Sequence, residues 1–147
     1  MRRPHNAIRR RIITGLHAAG FTGLQPGHLA VFQWPTPDGL RPGVLAVRAD
    51  ASKQAMNHLL GQLEADGYIV RKPDPADRRT RVVHLTPRGN EALAVMEQIM
   101  EKVDAEWRQA LGGEDYDRLQ QALIKLNAHF EATGGNGAGP RNGHDAD

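Results

Sequence analysis

Cysteine is absent from the 147 residues, which excludes disulfide frameworks, thiolate metal sites, cysteine nucleophiles and cysteine-based redox sensing. No apolar run approaches the ~18 residues of a membrane span, and the basic start (Arg2, Arg3, Arg9, Arg10, Arg11) is not followed by the apolar stretch and small-residue cleavage site of a signal peptide. A cytoplasmic protein without membrane contact is expected. The chain also lacks a His-Glu-x-x-His pair, a Gly-x-Ser-x-Gly elbow, a Gly-rich phosphate loop and a dinucleotide fingerprint. Its seven histidines (5, 17, 28, 58, 84, 129 and 144) lack the close spacing of zinc ligands; a site built in space from His17, His28 and an acid is the remaining metal alternative. The expectation is a non-enzyme with no cofactor and no metal.

What is present is an uneven charge. The net +2 conceals five arginines and no acid in residues 1–20, nine Lys/Arg against five Asp/Glu in residues 41–88, and four against nine in residues 89–132. A basic block ahead of an acidic one suggests one surface for a polyanion and another that avoids it. The length fits one domain, able to hide roughly two thirds of its unfolded surface.

Ile8, Ile12 and Leu16 recur every four residues, predicting a short helix over 8–19 that stops at Gly20. Residues 26–33 read as a second helix with Pro26 near its start and Leu29, Val31 and Phe32 inward. Pro35-Thr-Pro-Asp-Gly39 is a turn, and 41–48 a third short helix. Ser52 is a candidate N-cap for a helix in which Ala55, Met56, Leu59, Leu60 and Leu63 repeat up to Gly67, a candidate left-handed stop. Strands follow at 68–70 and 82–85, separated by a charged, Pro-containing hairpin loop over 71–81. Thr86 caps a long helix with Pro87 at its first position and a seam of Leu93, Met96, Met100, Val103 and Trp107. Gly112-Gly113 breaks it. Tyr116, Leu119, Leu123, Leu126 and Phe130 form a second seam, and the Gly-rich residues 134–147 are expected to be a disordered tail.

Helix, turn, helix, strand, charged loop, strand is the order of a winged helix-turn-helix, whose second helix fits the ~12 Å major groove. With Ala55, Met56, Leu59, Leu60 and Leu63 inward, Lys53, Gln54, Asn57, His58, Gly61 and Gln62 face outward. That face carries amides and donors and no acid; Gln and Asn suit adenine, Lys suits guanine or phosphate. Arg78, Arg79 and Arg81 of the loop would add phosphate or minor-groove contacts. The competing reading makes the loop an edge hairpin kept soluble by charge.

Residues 40–90 resemble the DNA-binding region of the MarR family of bacterial transcription regulators. The likeness runs through Ser52-Lys-Gln-Ala-Met56, Leu63-Glu-Ala-Asp-Gly-Tyr-Ile-Val70, Asp74-Pro-Ala-Asp-Arg-Arg79 and Val83-His-Leu-Thr-Pro-Arg-Gly89, and more weakly through 5–132. The resemblance implies a mainly α fold with a small β-hairpin wing, one domain over 1–133, a DNA-binding lobe at 26–90, and dimerisation helices at 5–20 and 88–132. It implies a homodimer reading a pseudo-palindromic site in double-stranded DNA, released by a small aromatic or anionic effector. Ser52, Lys53, Gln54, Asn57, His58 and Gln62 fall on the recognition helix and its cap. Asp77, Arg78, Arg79 and Arg81 fall on the wing, where the resemblance has Asp77 brace an arginine.

The chain departs from the family's usual pattern in the Pro-rich, Trp34-containing loop 34–42, in Gly43 of the third helix, and in its short first helix. His17, Phe32 and Trp34 are candidate pocket residues, with plain core or hinge packing as the alternative. The expected function is a ligand-responsive repressor; the alternative is a winged-helix protein–protein interaction module without sequence-specific DNA binding.

Overall fold

The Arg-rich start is helical from its second residue. In the computed structural model, which describes residues 2–132, α1 spans Arg2–Ala18. It is longer than the apolar stripe predicts, because the added turns carry polar residues and Pro4 sits in the first turn, where a missing N–H costs no intrahelical bond. The second helix is shorter than expected. Pro26–His28 is a 3-10 turn that passes into the single-turn α2, Leu29–Phe32, just before the Pro35 and Pro37 loop. Leu29, Val31 and Phe32 are buried as expected.

Next come α3 (Pro42–Arg48) and α4 (Lys53–Ala65), the helix-turn-helix pair. Ser52 caps α4 by accepting from the Ala55 N–H at 3.0 Å. Gly67 takes φ +78°, the left-handed stop that its missing Cβ permits. The turn between α3 and α4 holds Asp50 at φ +50°, an unusual conformation that a short polar side chain tolerates. Strands β1 (Ile69–Pro73) and β2 (Arg81–Leu85) pair antiparallel, Ile69 opposite Leu85 and Pro73 opposite Arg81. The ladder runs further than expected and shortens the wing tip to residues 74–80. Leu40 adds a bridge to Val83, so the Pro-rich loop is stitched to the wing.

Helix α5 (Pro87–Leu111) begins as the sequence predicts, Thr86 accepting from the Gly89 N–H at 3.1 Å, and Gly112 at φ +79° separates it from α6 (Gly113–Ala132). The expected tail 134–147 and the Phe130 side chain lie outside the described residues.

The core lies where α1, α2, α4, the wing and the first half of α5 meet. Leu16, Leu24, Met56, Leu60, Leu63, Tyr68 and Ala92 are wholly buried there; each large aliphatic side chain contributes roughly 1.5–3 kcal/mol. Tyr68 precedes β1 and is the hub: Phe21 and Phe32 approach its ring at 6.2 and 6.5 Å, and the Arg88 guanidinium lies 4.8 Å above it. The buried face of α4 is narrower than predicted. Ala55 is exposed and Leu59 half-buried, because only Met56, Leu60 and Leu63 fall on the stripe that meets the core.

Candidate nucleic-acid interface

The candidate interface comprises two exposed surfaces, the outer face of α4 and the wing tip at residues 74–80. On α4, Ser52, Lys53, Gln54, Asn57, His58 and Gln62 are all exposed. The only acid of α4, Glu64, lies on its last turn and pairs with Arg71 at 3.2 Å, away from the set Lys53–His58. Three of the six, Ser52, His58 and Gln62, already have partners. The Ser52 hydroxyl serves as the cap, and the Gln62 amide bonds both His28 and His58, with Oε1 2.9 Å from His28 Nε2 and Nε2 3.3 Å from His58 Nε2. Gln62 is therefore not the free reader that its outward position suggested.

The wing tip is held from within. Asp74 is buried, and its carboxylate accepts from the Ala76 N–H at 2.9 Å and from the Arg41 guanidinium at 2.7 and 2.9 Å. The Ala76 N–H and then Arg41 hold the Asp74 carboxyl below the ordinary carboxylate range. The resemblance assigned the bracing role to Asp77, and the structure corrects this. Asp77 accepts from the Arg79 backbone N–H at 3.1 Å, and its carbonyl accepts from the Thr80 N–H and hydroxyl, so it shapes the turn. The braced arginine is Arg41, at the start of α3, which ties the wing to the helix-turn-helix. Arg78, Arg79 and Arg81 are exposed and take part in no ion pair with the described residues.

The expected pocket trio is not brought together. His17 bonds the Leu24 carbonyl at 2.8 Å and closes the α1–α2 connection. Phe32 lines a cavity of about 550 Å³ between α1, α2, α3 and α5, and Trp34 lines another of about 410 Å³ under the Pro-rich loop. Between them stands Arg48, 5.8 Å over the Trp34 ring and also on the wall of the larger cavity. His28 is likewise committed, with Nδ1 accepting from the Gln25 N–H at 3.1 Å and Nε2 facing Gln62, so it and His17 are not assembled as metal ligands. Sequence reasoning missed the Arg41–Asp74 pair, although Asp74 opens the Asp74-Pro-Ala-Asp-Arg-Arg79 block. It also missed the His28–Gln62–His58 chain, for which spacing offers no signal.

The motif Leu85-Thr-Pro-Arg-Gly89 is structural. The Thr86 hydroxyl donates to the Gly67 carbonyl at 2.6 Å and its N–H to the Tyr68 carbonyl at 3.0 Å, while Gly89 packs against that carbonyl. This junction fixes the wing and α4 on the long helix.

The comparisons agree with this architecture. The sequence model of the MarR family matches residues 35–80. The chain is 30% identical over 115 residues to the transcriptional regulator HosA of Escherichia coli O111:H-, covering 67% of this chain and 85% of that one. It is 33% identical over 105 residues to a putative transcriptional regulatory protein for the hcr operon of Thauera aromatica, covering 71% of this chain and 63% of the relative. Among solved structures, the transcriptional regulator PA4135 superposes with a TM-score of 0.68 at 25% identity, over 85% of this chain and 90% of the other. Motifs, helix-turn-helix, wing and relatives coincide: the chain belongs to the MarR family of winged-helix transcriptional regulators.

Proposed function

We propose that the protein is a homodimeric, sequence-specific repressor that reads a pseudo-palindromic operator and is released by a small anionic or aromatic effector. The observation that carries this reading is the joint exposure of an acid-free α4 face (Lys53, Gln54, Asn57, His58) and three wing arginines, Arg78 and Arg79 on a tip braced from inside and Arg81 at the start of β2. In it, α4 enters the major groove, with Asn57 and Gln54 on base edges and Lys53 on guanine or phosphate. The wing arginines take phosphates or the flanking minor groove.

Support for the dimer comes from α6, where Leu119, Leu123, Ile124 and Leu126 leave an apolar face 36–65% exposed in the single chain. Support for the effector comes from the larger cavity. Phe32, Ile12 and Met96 offer it an apolar wall, and its lining carries two cations, Arg9 and Arg48, against one acid, Glu97. It lies between α1 and α5 on one side and the DNA-binding lobe on the other, so an occupant that prefers one lobe orientation alters the separation of the two recognition helices.

The test is selection from a random duplex pool at about 150 mM salt, followed by titration of the enriched site. An enriched inverted repeat with half-sites about one helical turn apart supports the proposal. Binding without an enriched motif, abolished as salt rises, overturns it in favour of a module that uses this basic face for an acidic protein partner.

A further inference from the structure

Three side chains link the buried side of the helix-turn-helix to its outer face. His28 is 2% exposed, although it carries a polar imidazole. Its Nδ1 accepts from the Gln25 backbone N–H at 3.1 Å, so the ring proton must sit on Nε2. Nε2–H then donates to Gln62 Oε1 at 2.9 Å, which fixes the amide with its NH2 group turned the other way. That group lies 3.3 Å from His58 Nε2, one turn earlier on α4, and an NH2 can only donate. His58 Nε2 is therefore an acceptor, and the proton of its neutral ring is carried by Nδ1. Each bond dictates the polarity of the next, beginning from a backbone N–H that cannot change role.

We propose that His28 is a positioning residue for sequence recognition. Through Gln62 it holds the exposed His58 in the Nδ1–H tautomer, so that α4 presents a single, oriented donor to the DNA. This rests on the reading of α4 as the major-groove helix. His58 Nδ1 has no protein partner among the described residues and is open to a ligand. A fixed donor favours a base pair that shows an acceptor at that point, such as guanine N7/O6 or thymine O4, and rejects the amino group of cytosine. A ring free to exchange tautomers would accept either. The chain thus converts a two-faced histidine into a one-sided reader, and it explains why a buried, non-catalytic imidazole stands at position 28.

The experiment has two arms on the full-length protein. The first is nitrogen-15 NMR of the histidine rings without DNA, at about pH 8, where histidine rings are in general neutral. The wild type is expected to show His58 protonated on Nδ1 and His28 on Nε2. Gln62→Met frees His58 Nε2 and the Nε2-protonated fraction rises; Gln62→Glu keeps an acceptor for His28 but offers His58 a second acceptor, so Nε2 becomes protonated. The second arm is operator selection with wild type and Gln62→Met. Preference at one base pair of each half-site is expected to fall about fivefold, the worth of one hydrogen bond, with the other positions unchanged. An Nε2–H His58 in the wild type overturns the relay. The expected tautomers with an unchanged base preference, or with an even loss at all positions, overturn its role in specificity. A wild type without any preferred site refutes the major-groove reading itself, while the NMR arm still decides the relay.

Discussion

Gly89→Ala sets helix propensity against packing. Gly89 lies in the first turn of α5, and replacing glycine by alanine inside a helix ordinarily stabilises by about 0.5–1 kcal/mol. Here an added Cβ would overlap the Tyr68 carbonyl oxygen and stand 3.2 Å from both the Tyr68 carbonyl carbon and Leu85 Cβ. None of these is the free end of a flexible side chain. Tyr68 is wholly buried, and its carbonyl already accepts from Thr86. Relief therefore requires the α5 start to move away from β1, at an overpacking cost of about 1–3 kcal/mol that exceeds the propensity gain. The melting temperature is expected to fall by about 2–8 °C for a chain of this size. Gly43→Ala in α3, where an added Cβ meets nothing within 4 Å, is the control and should leave it unchanged or slightly higher. Differential scanning calorimetry at fixed protein concentration compares the two. A Gly89→Ala protein as stable as its Gly43→Ala counterpart would refute the steric account of this junction.

Arg79→Ala should weaken binding to all DNA sequences alike and reduce the log–log salt slope by about 0.9 for each phosphate that the arginine neutralises, whereas Asn57→Ala should cost about 1–3 kcal/mol at one base pair and leave the slope alone; fluorescence anisotropy across a salt series separates them. Asp74→Asn removes a carboxyl whose folded pKa is depressed, so its stabilising share is complete above the ordinary carboxylate range and disappears as pH falls through the folded value. The melting-temperature gap between wild type and variant should stay constant from neutral pH to about 5 and close at more acidic pH; a constant gap at all pH values counts against the Arg41–Asp74 brace. Leu123→Glu with Leu126→Glu places four carboxylates on the proposed dimer face, and light scattering should then report half the wild-type mass; an unchanged mass would sink the α6 interface.

Features that depend on neighbours a few residues away were legible in the sequence. Ser52 and Thr86 cap their helices, Gly67 and Gly112 end or separate them at positive φ, and the seams along α4 and α5 pick out Met56, Leu60, Leu63, Met96 and Val103, because caps, stops and helical stripes are local physics. The family blocks placed the wing and the exposed basic residues for the same reason: each block reads along one stretch of chain. Where the signal was mixed, boundaries slipped. The polar first turns of α1 carry no apolar stripe, and the strand pairs at the wing look like loop until their partners are known.

Which polar residues are free and which are spoken for was settled by the packing of the whole chain. Arg41 meets Asp74 across 33 residues, His28 meets Gln62 across 34, and Gly89 lies against a carbonyl 21 residues earlier in the chain. His17, Phe32 and Trp34, grouped by sequence reasoning, serve three different places. A burial pattern states that a residue faces inward or outward. It does not state what it faces, since hydrogen-bond geometry is set by how entire helices come together and not by spacing along one of them.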